Sequence, residues 1–593
     1  MAAHPLHTLT LLALLGTTSV TALAGQACSE GEVSAVVVTP HSFFETADST
    51  DGGTLAWFYG IANRVHADTN EDFLRAELLL RVGDCYDPFL VEESQRLLEQ
   101  LGFIDRAEVT GVTQPDGSVQ ILVETWNNWT LQFEPRFRFE EGFEFAGLDI
   151  TERNLFGRGI VLGGFYRQNR ELLNVGGRFE TPHLLGTRWD ARLQASRTRV
   201  GNAFQQGFFY PFVGEVGRRA AVQSFVQSEN QFSYSLPAGG TYSHVVQPYG
   251  QRTGQITVAG RIGRPGRLTI FGGGLSREEW DYPRFGAEVV RNEDFGNAEP
   301  APPEVTDILA PQLRDYQTTR FNLIFAQRHL SFERHERLDV LRGDQAVAVG
   351  GEAALVLGRS IPFLGSNSMN EDSDFFGRVR LFGGLAPGNW VFASAVSVEG
   401  RKIFGGVENG WNDVLAEFDI YSYWRPSETS RHTLFARFSG AGGWSVTGPF
   451  QLTLGGVSGL RGYSVDDHPG GKRLIASLED RIYFGSREGL VDLGMTAFVD
   501  VGSIWEAGVP FGADSGTLAT GGVGLRAGFF GSRSVTRIDV AFPLNGPDSF
   551  GSPTFRISAE LLGLRRGVED RQLRRSRRAG VGGGIIPDPS VGR

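Results

Sequence analysis

Three groups of residues in this 593-residue chain are of the types that catalysis or metal binding requires. His329 and His335 flank Glu333 and offer zinc ligands, but six residues separate the histidines, and isolated polar side chains are the commoner interpretation. The run 456–459 (GVSG) begins a G-x-S-x-G nucleophile elbow, but Leu460 replaces the last glycine. A third group alternates charges along successive strands: Arg526, Arg537, Asp539, Arg556 and Glu560. A water-filled barrel lumen needs such charges too, so we expect no enzymatic activity, no metal and no cofactor.

The amino-terminal residues have the features of an export signal. Residues 9–24 (LTLLALLGTTSVTALA) form a long apolar run that ends in A-x-A, the pattern that signal peptidase cuts. We predict a signal peptide over residues 1–24, and cleavage as late as residue 27 also fits. Export to an oxidising compartment permits a disulfide between Cys28 and Cys85, which would tie the new amino terminus to the first folded domain. Two unpaired cysteines fit the sequence equally well.

Composition narrows the class of the mature chain. The sequence contains 79 Gly, 44 Phe, 13 Tyr and 10 Trp, and its net charge of −12 argues against nucleic-acid binding. After the signal, no segment supplies the roughly 18 consecutive apolar residues that a membrane helix needs. The mature chain is therefore either soluble or a transmembrane β-barrel, whose strands alternate polar and apolar residues.

Residues 28–128 predict a small α+β domain. A helix is predicted over residues 89–101, because its leucines share one face, Asp87 can cap its start and Gly102 ends it. The other predicted elements are an opening strand over 33–38, a helix over 70–82, and two strands around 107–111 and 119–124. The expected order is β-α-α-β-β.

Residues 129–564 show the period-two alternation of β-strands. In residues 554–561 (TFRISAEL), for example, hydrophobic residues alternate with polar ones, and aromatic residues recur near strand ends elsewhere. The 435 residues from 130 to 564, divided among about 16 strands, leave about 27 for each strand with its connection, which suits a transmembrane antiparallel β-barrel with several long loops. Residues 281–316 are acidic and Pro-rich and predict one such loop.

Residues 565–593 form a separate tail that is basic at first and then rich in Gly and Pro. This composition predicts a disordered segment. Such a tail is either solvated or in contact with anionic lipid head groups.

The motifs of the barrel region resemble those of a known family, the BamA/TamA superfamily of outer-membrane assembly and secretion barrels. Residues 455–463 (GGVSGLRGY) are similar to its [VL]-R-G-[FY] loop motif, and residues 152–159 (ERNLFGRG) to a turn between early barrel strands. Residues 71–125 resemble a single POTRA module, the periplasmic domain that precedes such barrels. Further motifs follow in the expected order at 476–479 (ASLE), 498–502 (FVDVG), 522–526 (GVGLR) and 537–544 (RIDVAFPL).

The resemblance implies a set of site residues. In that superfamily the R-G-F/Y loop folds back into the lumen, and its arginine pairs with acidic residues on nearby strands. Arg461, which follows Leu460 in the motif, would then pair with Glu479 and Asp500, and both carboxylates lie on the inward phase of their strands. An arginine fork can hold two carboxylates in fixed geometry. By the same resemblance, Gly462 would allow a tight turn and Tyr463 would pack against the wall. The contacts would serve either a plug that stabilises the barrel or a functional gate.

The resemblance also implies a function and a location. The chain would be an integral protein of the bacterial outer membrane with its amino-terminal domain in the periplasm. It would assist the insertion of other barrels or move a polypeptide across the membrane. Its partners would be outer-membrane lipids, unfolded or extended client polypeptides and periplasmic accessory proteins. POTRA modules would bind clients by strand addition at a sheet edge. The alternatives are a dedicated secretion pore for one partner protein and a passive structural pore.

Overall fold

A computed structural model describes most of the chain after residue 27. The described residues are 28–41, 68–127, 130–138, 144–168, 173–282, 286–341, 344–361, 373–404, 410–456, 459–464, 466–487, 491–529, 534–546, 549, 551, 553–561, 570–577 and 585. The predicted signal peptide lies outside them. None of the helices in these ranges is long and apolar enough to cross a lipid bilayer.

The amino-terminal part is a small domain with the predicted β-α-α-β-β order. Its elements are β1 (Val33–His41), α1 (Glu71–Glu77), α2 (Pro88–Glu99), β2 (Ile104–Thr113) and β3 (Val119–Asn127). The sheet order is β1-β3-β2, with β1 parallel and β2 antiparallel to β3. The helix α2 starts where predicted, because the Asp87 side chain accepts the N–H of Phe89 and Pro88 occupies the first turn.

A disulfide joins Cys28 to Cys85, with their Cα atoms 5.2 Å apart. It ties the first described residue, Cys28, to the segment between α1 and α2. Next to it, Glu32 forms a single antiparallel bridge with Cys85. Of the two alternatives that the sequence left open, the structure contains the bonded one.

The remainder of the described chain is one large antiparallel sheet. Its 22 strands include two short ones, β13 (Glu288–Val290) and β14 (Glu299–Pro300), which extend one edge of β11, so 20 strands form the wall. The wall strands are β4 (Leu131–Arg138), β5 (Glu144–Leu155), β6 (Ile160–Gln168), β7 (Leu173–Thr181), β8 (Asp190–Thr198), β9 (Asn202–Tyr210), β10 (Arg219–Ser235), β11 (His244–Arg264), β12 (Arg267–Asp281), β15 (Tyr316–Glu336), β16 (Asp344–Ser360), β17 (Asp374–Leu385), β18 (Trp390–Ile403), β19 (Trp411–Trp424), β20 (His432–Trp444), β23 (Lys472–Arg487), β24 (Val491–Trp505), β25 (Gly516–Phe529), β26 (Ser534–Pro543) and β27 (Thr554–Leu561). The first and last of them, β4 and β27, are neighbours, which brings the sheet back on itself as a barrel.

The barrel prediction is confirmed, but the predicted number of about 16 strands is wrong. Five strands from β5 to β9 are only 9 to 12 residues long and follow one another through short connections. A barrel of 16 strands would use about 27 residues for each strand with its connection. This part of the chain uses fewer residues per strand, so the barrel contains more strands. Residues 281–316 form a long connection as expected, although they also contain β13, β14 and the helix α3 (Pro303–Leu309).

The two faces of the wall differ in chemistry. On β15, Phe321, Leu323 and Phe325 are exposed on the outer face, whereas Arg320 and Arg328 are buried on the inner face. This alternation recurs around the sheet, so that hydrophobic side chains cover the outside and the charged pairs lie inside. Exposed tryptophans stand at strand ends: Trp390, Trp411, Trp444 and Trp505.

The small domain packs against one end of the barrel, which we call the proximal end; the opposite end is the distal end. The backbone N–H of Asn70 donates to the carbonyl of Gly157 in the β5–β6 turn (2.8 Å), and the N–H of Glu215 in the β9–β10 connection donates to the Glu93 carboxylate (2.7 Å). Contacts with two separate barrel connections fix the orientation of the domain.

The same interface buries an acid next to a histidine. Glu77 Oε1 lies 3.6 Å from His183 Nε2 in the β7–β8 connection. Burial, with a smaller contribution from Asp190, raises the pKa of Glu77 to about 7, although Arg188 acts in the opposite direction. Burial and then Arg188 lower the pKa of His183. Both partners are therefore held towards their neutral forms.

The carboxy-terminal tail is not wholly disordered, contrary to the prediction. Residues Arg571–Ser576 form a short helix, α4, whose N-cap Asp570 accepts the N–H groups of Gln572 and Leu573. The Leu573 side chain is completely buried in an apolar cluster inside the barrel. The physical reason is that the tail finds charged and apolar partners on strands far away in the sequence.

Candidate functional site

The connection between β20 and β23, residues 445–471, folds into the barrel interior. Two short strands, β21 (Leu452–Thr453) and β22 (Pro469–Gly470), pair at its base. Leu452, Leu454 and Leu460 are fully buried in one apolar cluster. The N–H of Leu460 donates to the carbonyl of Leu454 (2.8 Å), which closes the loop just before Arg461. We call residues 445–471 the lumen loop.

Arg461 is held by two carboxylates of the barrel wall. Its Nε and Nη2 donate to Asp500 Oδ2 and Oδ1, both at 2.6 Å, and its Nη1 donates to Glu479 Oε1 at 2.7 Å. A third carboxylate, Asp539, lies 3.9 Å away. The guanidinium carbon is 3.5 Å from the centre of the Phe498 ring, a cation–π geometry. The structure thus brings together Arg461, Glu479 and Asp500.

Strand register explains this convergence. Glu479 on β23 is directly opposite Phe498 on β24, and Asp500 is two residues further along β24 on the same face. Side chains at these positions of an antiparallel pair lie about 5 to 8 Å apart, which a guanidinium fork can span. A lysine would offer one point charge instead of a planar fork.

Gly462 and Tyr463 attach the lumen loop to the last strands. A Cβ atom on Gly462 would meet Thr520 Cγ2 at 2.8 Å, so a glycine is required because the loop lies close against the wall. The chain turns here as predicted, with the N–H of Tyr463 donating to the carbonyl of Leu460 (3.3 Å). The φ of Gly462 is not in the left-handed region, so the close approach to the wall is what favours a glycine. The Tyr463 hydroxyl donates to the carbonyl of Asn545 (3.1 Å), and Thr554 Oγ1 donates to the carbonyl of Gly462 (3.0 Å).

A second inward segment meets the same network from the proximal end. Residues 337–341 follow β15 into the interior, where Asp339 Oδ1 accepts from Arg481 Nη1 (2.7 Å). Arg481 Nε also donates to Glu479 Oε2 (3.0 Å), and Arg537 Nη1 lies 3.3 Å from both oxygens of that carboxylate. Glu479 therefore connects the lumen loop, the wall and the proximal turn. Sequence reasoning missed Asp339. The available signal was that its neighbours in 338–341 (LDVL) are apolar, which is unusual for a solvated turn.

Another buried ion cluster occupies a different part of the wall. Arg320 Nη1 donates to Glu278 Oε2 (2.6 Å), and its Nε and Nη2 donate to Asp374 (2.9 and 2.6 Å). The three side chains are almost completely buried. No motif in the sequence indicated this cluster, because its members come from β12, β15 and β17.

The other predicted chemical groups do not form a reactive site among the described residues. His335 Nε2 lies 3.8 Å from Glu333 Oε2, whereas His329 contacts Gln327. In the described ranges no group of three or more His, Cys, Asp or Glu side chains could hold a metal ion. Arg526, Arg537 and Asp539 are buried inside the barrel. Positions 457 and 458 of the GVSG run and the side chains of positions 556 and 560 lie outside the described residues.

Comparison with family models and with curated protein sequences finds no match. Among solved structures, the chain is similar to BamA from Haemophilus ducreyi lacking POTRA domains 1–3, at 14% identity and a TM-score of 0.37, over 89% of this chain and 85% of that one. It is also similar to CdiB from Escherichia coli (13% identity, TM-score 0.36, 92% of each chain) and to CdiB from Acinetobacter baumannii (12%, 0.38, 89% and 73%). These TM-scores are too low to carry a functional argument, so the proposal below depends on the contacts within this chain.

Proposed function

We propose that this chain is a non-enzymatic outer-membrane barrel of the BamA/TamA superfamily that inserts or translocates polypeptides. The observation that carries the proposal is the arginine-held lumen loop: Arg461 spans Glu479 and Asp500 in the interior of a barrel with a small sheet domain at its proximal end. A loop held in this way suits a transport barrel, because such a barrel needs a closed state that can be opened.

The outer surface supports a membrane location. Hydrophobic side chains such as Phe271, Leu323 and Leu381 are about half exposed on the outer wall, which in water would be an unusually large apolar surface. Exposed tryptophans at strand ends, among them Trp390 and Trp444, suit the two interfaces of a bilayer. The signal peptide predicted over residues 1–24 would direct the chain to the periplasm, with the small domain remaining there.

Two sheet edges suit the handling of extended polypeptides. In the small domain β2 is an edge strand, and the N–H of Val109 donates there to the Gln95 side chain (3.3 Å), which a client strand could replace. In the barrel, the first and last wall strands, β4 and β27, meet at a seam. Pro135 on β4 has no N–H to donate, a feature that occurs on edge strands. We propose that clients bind at the first edge and leave by the lumen or the seam.

The test is depletion of the protein followed by quantitative profiling of outer-membrane and secreted proteins. An assembly role predicts the loss of several unrelated barrels, whereas a secretion role predicts the loss of one exported protein. A passive pore predicts no change in either proteome and a conductance that survives removal of residues 28–125. Unchanged proteomes would therefore overturn the transport proposal.

Complementation with variants links the phenotype to the lumen loop. Arg461→Lys keeps the charge but cannot bridge Glu479 and Asp500, and we expect it to restore the depleted proteins poorly. The matched control is Arg437→Lys, which changes an arginine that also binds a carboxylate bidentately (Asp419, 2.7 and 3.0 Å) but lies on the wall. Equal complementation by both variants would contradict a functional role of the loop contact.

A further inference from the structure

The tail helix lies across the lumen with opposite charges at its two ends. At the start, the carboxylate of Asp570 pairs with Arg473 of β23. At the end, Arg577 pairs with Glu417 of β19, and its Nε is 3.6 Å from Glu399 of β18. Charged groups of three wall strands thus bind both ends of the segment.

Further polar contacts hold the segment 570–577 in one register. The Gln572 amide donates to Thr453 Oγ1 (2.6 Å), and its Oε1 accepts the N–H of Thr453 (3.0 Å) and Arg473 Nη1 (2.9 Å). The hydroxyl of Ser576 donates to the carbonyl of Pro449 (2.8 Å). The backbone N–H of Asp570 donates to the second oxygen of the Glu417 carboxylate (2.6 Å). Such a set of directional bonds constitutes a built site, because the side chains of Asp570, Gln572, Ser576 and Arg577 each have a specific partner.

The segment also shares the hydrophobic cluster of the lumen loop. Leu573 is 0% exposed and packs in the same cluster as Leu454, Leu460 and Tyr463. Further along the tail, Ile585 is buried against a second cluster, which includes Val222 of β10 and Ile324 of β15. The segment 570–577 thus packs against residues on both sides of Arg461 in the lumen loop.

We propose that the lumen carries a peptide-binding site, formed by Glu399, Glu417, Arg473 and Thr453, and that residues 570–577 of this chain occupy it as a displaceable plug. The occupied state closes the lumen and stabilises the lumen loop from its apolar side. Removal of the plug opens the path and leaves an acidic site that accepts a basic peptide. The inference rests on the proposed pore for its functional meaning, but the position of the tail can be tested separately.

Cysteine cross-linking tests the position in the full chain in lipid vesicles. Thr453→Cys with Gln572→Cys places two thiols where the side chains now touch, and we expect mild oxidation to join them. The matched control pairs Thr453→Cys with Arg574→Cys, because residue 574 is on the exposed side of the same helix. The native cysteines are bonded to each other and do not compete. Equal cross-linking of both pairs, or none in the first, would overturn the site.

Conductance in planar bilayers tests the plug. Arg577→Glu places a third carboxylate beside Glu399 and Glu417, and we expect a rise in conductance over the parent chain. Arg574→Glu makes the same charge change in the same helix and should leave the conductance at the parental level. The oxidised pair at positions 453 and 572 should conduct least. Parental conductance in Arg577→Glu would refute plugging even if the cross-link forms.

These results are separable from the proposed function. If the proteomes do not respond to depletion but Arg577→Glu still opens the barrel, the plug stands and the transport proposal fails. If the proteomes respond to depletion but Arg577→Glu does not change the conductance, the transport proposal stands and the plug fails.

Discussion

Replacement of Arg461 by alanine should destabilise the barrel strongly. Asp500 is 0% exposed, and in the described residues Arg461 donates both of the hydrogen bonds shown for its carboxylate. Glu479 keeps Arg481 and Arg537 after the substitution, but Asp500 becomes a buried charge without its cation. Breaking a buried ion pair on one side costs about 3–5 kcal/mol. We expect a loss of that size in the free energy of unfolding.

A double-mutant cycle tests whether this cost comes from the pair. The variants are Arg461→Ala, Asp500→Ala and the two combined, each refolded into lipid vesicles and unfolded in urea with tryptophan fluorescence as the signal. Because the combined variant leaves no orphaned carboxylate, its loss should fall short of the sum of the single losses by about 1–3 kcal/mol. Arg437→Ala, which removes a more exposed wall arginine (30% against 11% for Arg461), should cost less than Arg461→Ala.

Two results would refute this reasoning. Additive losses in the cycle would mean that Arg461 and Asp500 do not stabilise each other. A loss for Arg461→Ala no greater than that for Arg437→Ala would mean that burial of the ion cluster contributes nothing beyond an ordinary wall pair.

Other substitutions address the domain interface and the loop. The pKa of Glu77 is raised from 4.5 to about 7, so the folded state gains stability as the pH falls from above 7 towards 4.5. Glu77→Gln should therefore be more stable than the parent at pH 8 by up to about 3 kcal/mol. Urea unfolding should show that this advantage is lost by pH 4.5. The pKa of His183 is lowered from 6.5, so this histidine reduces the stability of the folded state as the pH falls below 6.5 and opposes the effect of Glu77. His183→Gln should therefore make the stability of the protein depend more steeply on pH. Replacing Cys28 and Cys85 by serine should destabilise the small domain by about 2–5 kcal/mol, seen as protease sensitivity of residues 28–127, and leave barrel unfolding unchanged. Gly462→Val should prevent the loop from seating, seen as protease cleavage within residues 445–471, because its Cβ would meet Thr520 at 2.8 Å.

The sequence predicted local features better than distant ones. The helix α2 could be predicted because its cap, first turn and apolar face are all encoded within residues 87–102. The contact of Arg461 with Glu479 and Asp500 was accessible because the motif order implied a loop beside two inward carboxylates. These features need only short-range patterns or a known order of motifs.

The number of strands and the helix in the tail could not be predicted from the sequence, and the reasons are physical. Period-two alternation marks a strand but does not determine the length of the connection that follows. The strand number was therefore taken from a common barrel size, which is too small because the hairpins from β5 to β9 are short. Residues 570–577 look disordered because their own composition cannot form a core. Their helix depends on Glu417 and Arg473, which are about 100 to 150 residues away in the chain and cannot be identified as partners without the barrel.

The geometry of Glu479 makes the lumen a coupled system. Its Oε1 accepts from Arg461 in the lumen loop, and its Oε2 accepts from Arg481, which in turn holds Asp339 of the proximal turn. Without Arg461, more of the negative charge of Glu479 is left for Arg481 to neutralise. Without Asp339, Arg481 pairs with Glu479 alone. We therefore expect that withdrawal of Asp339 changes the affinity of the wall for Arg461. Because energetic coupling is reciprocal, loss of Arg461 should then change the affinity of Arg481 for Asp339 by the same factor.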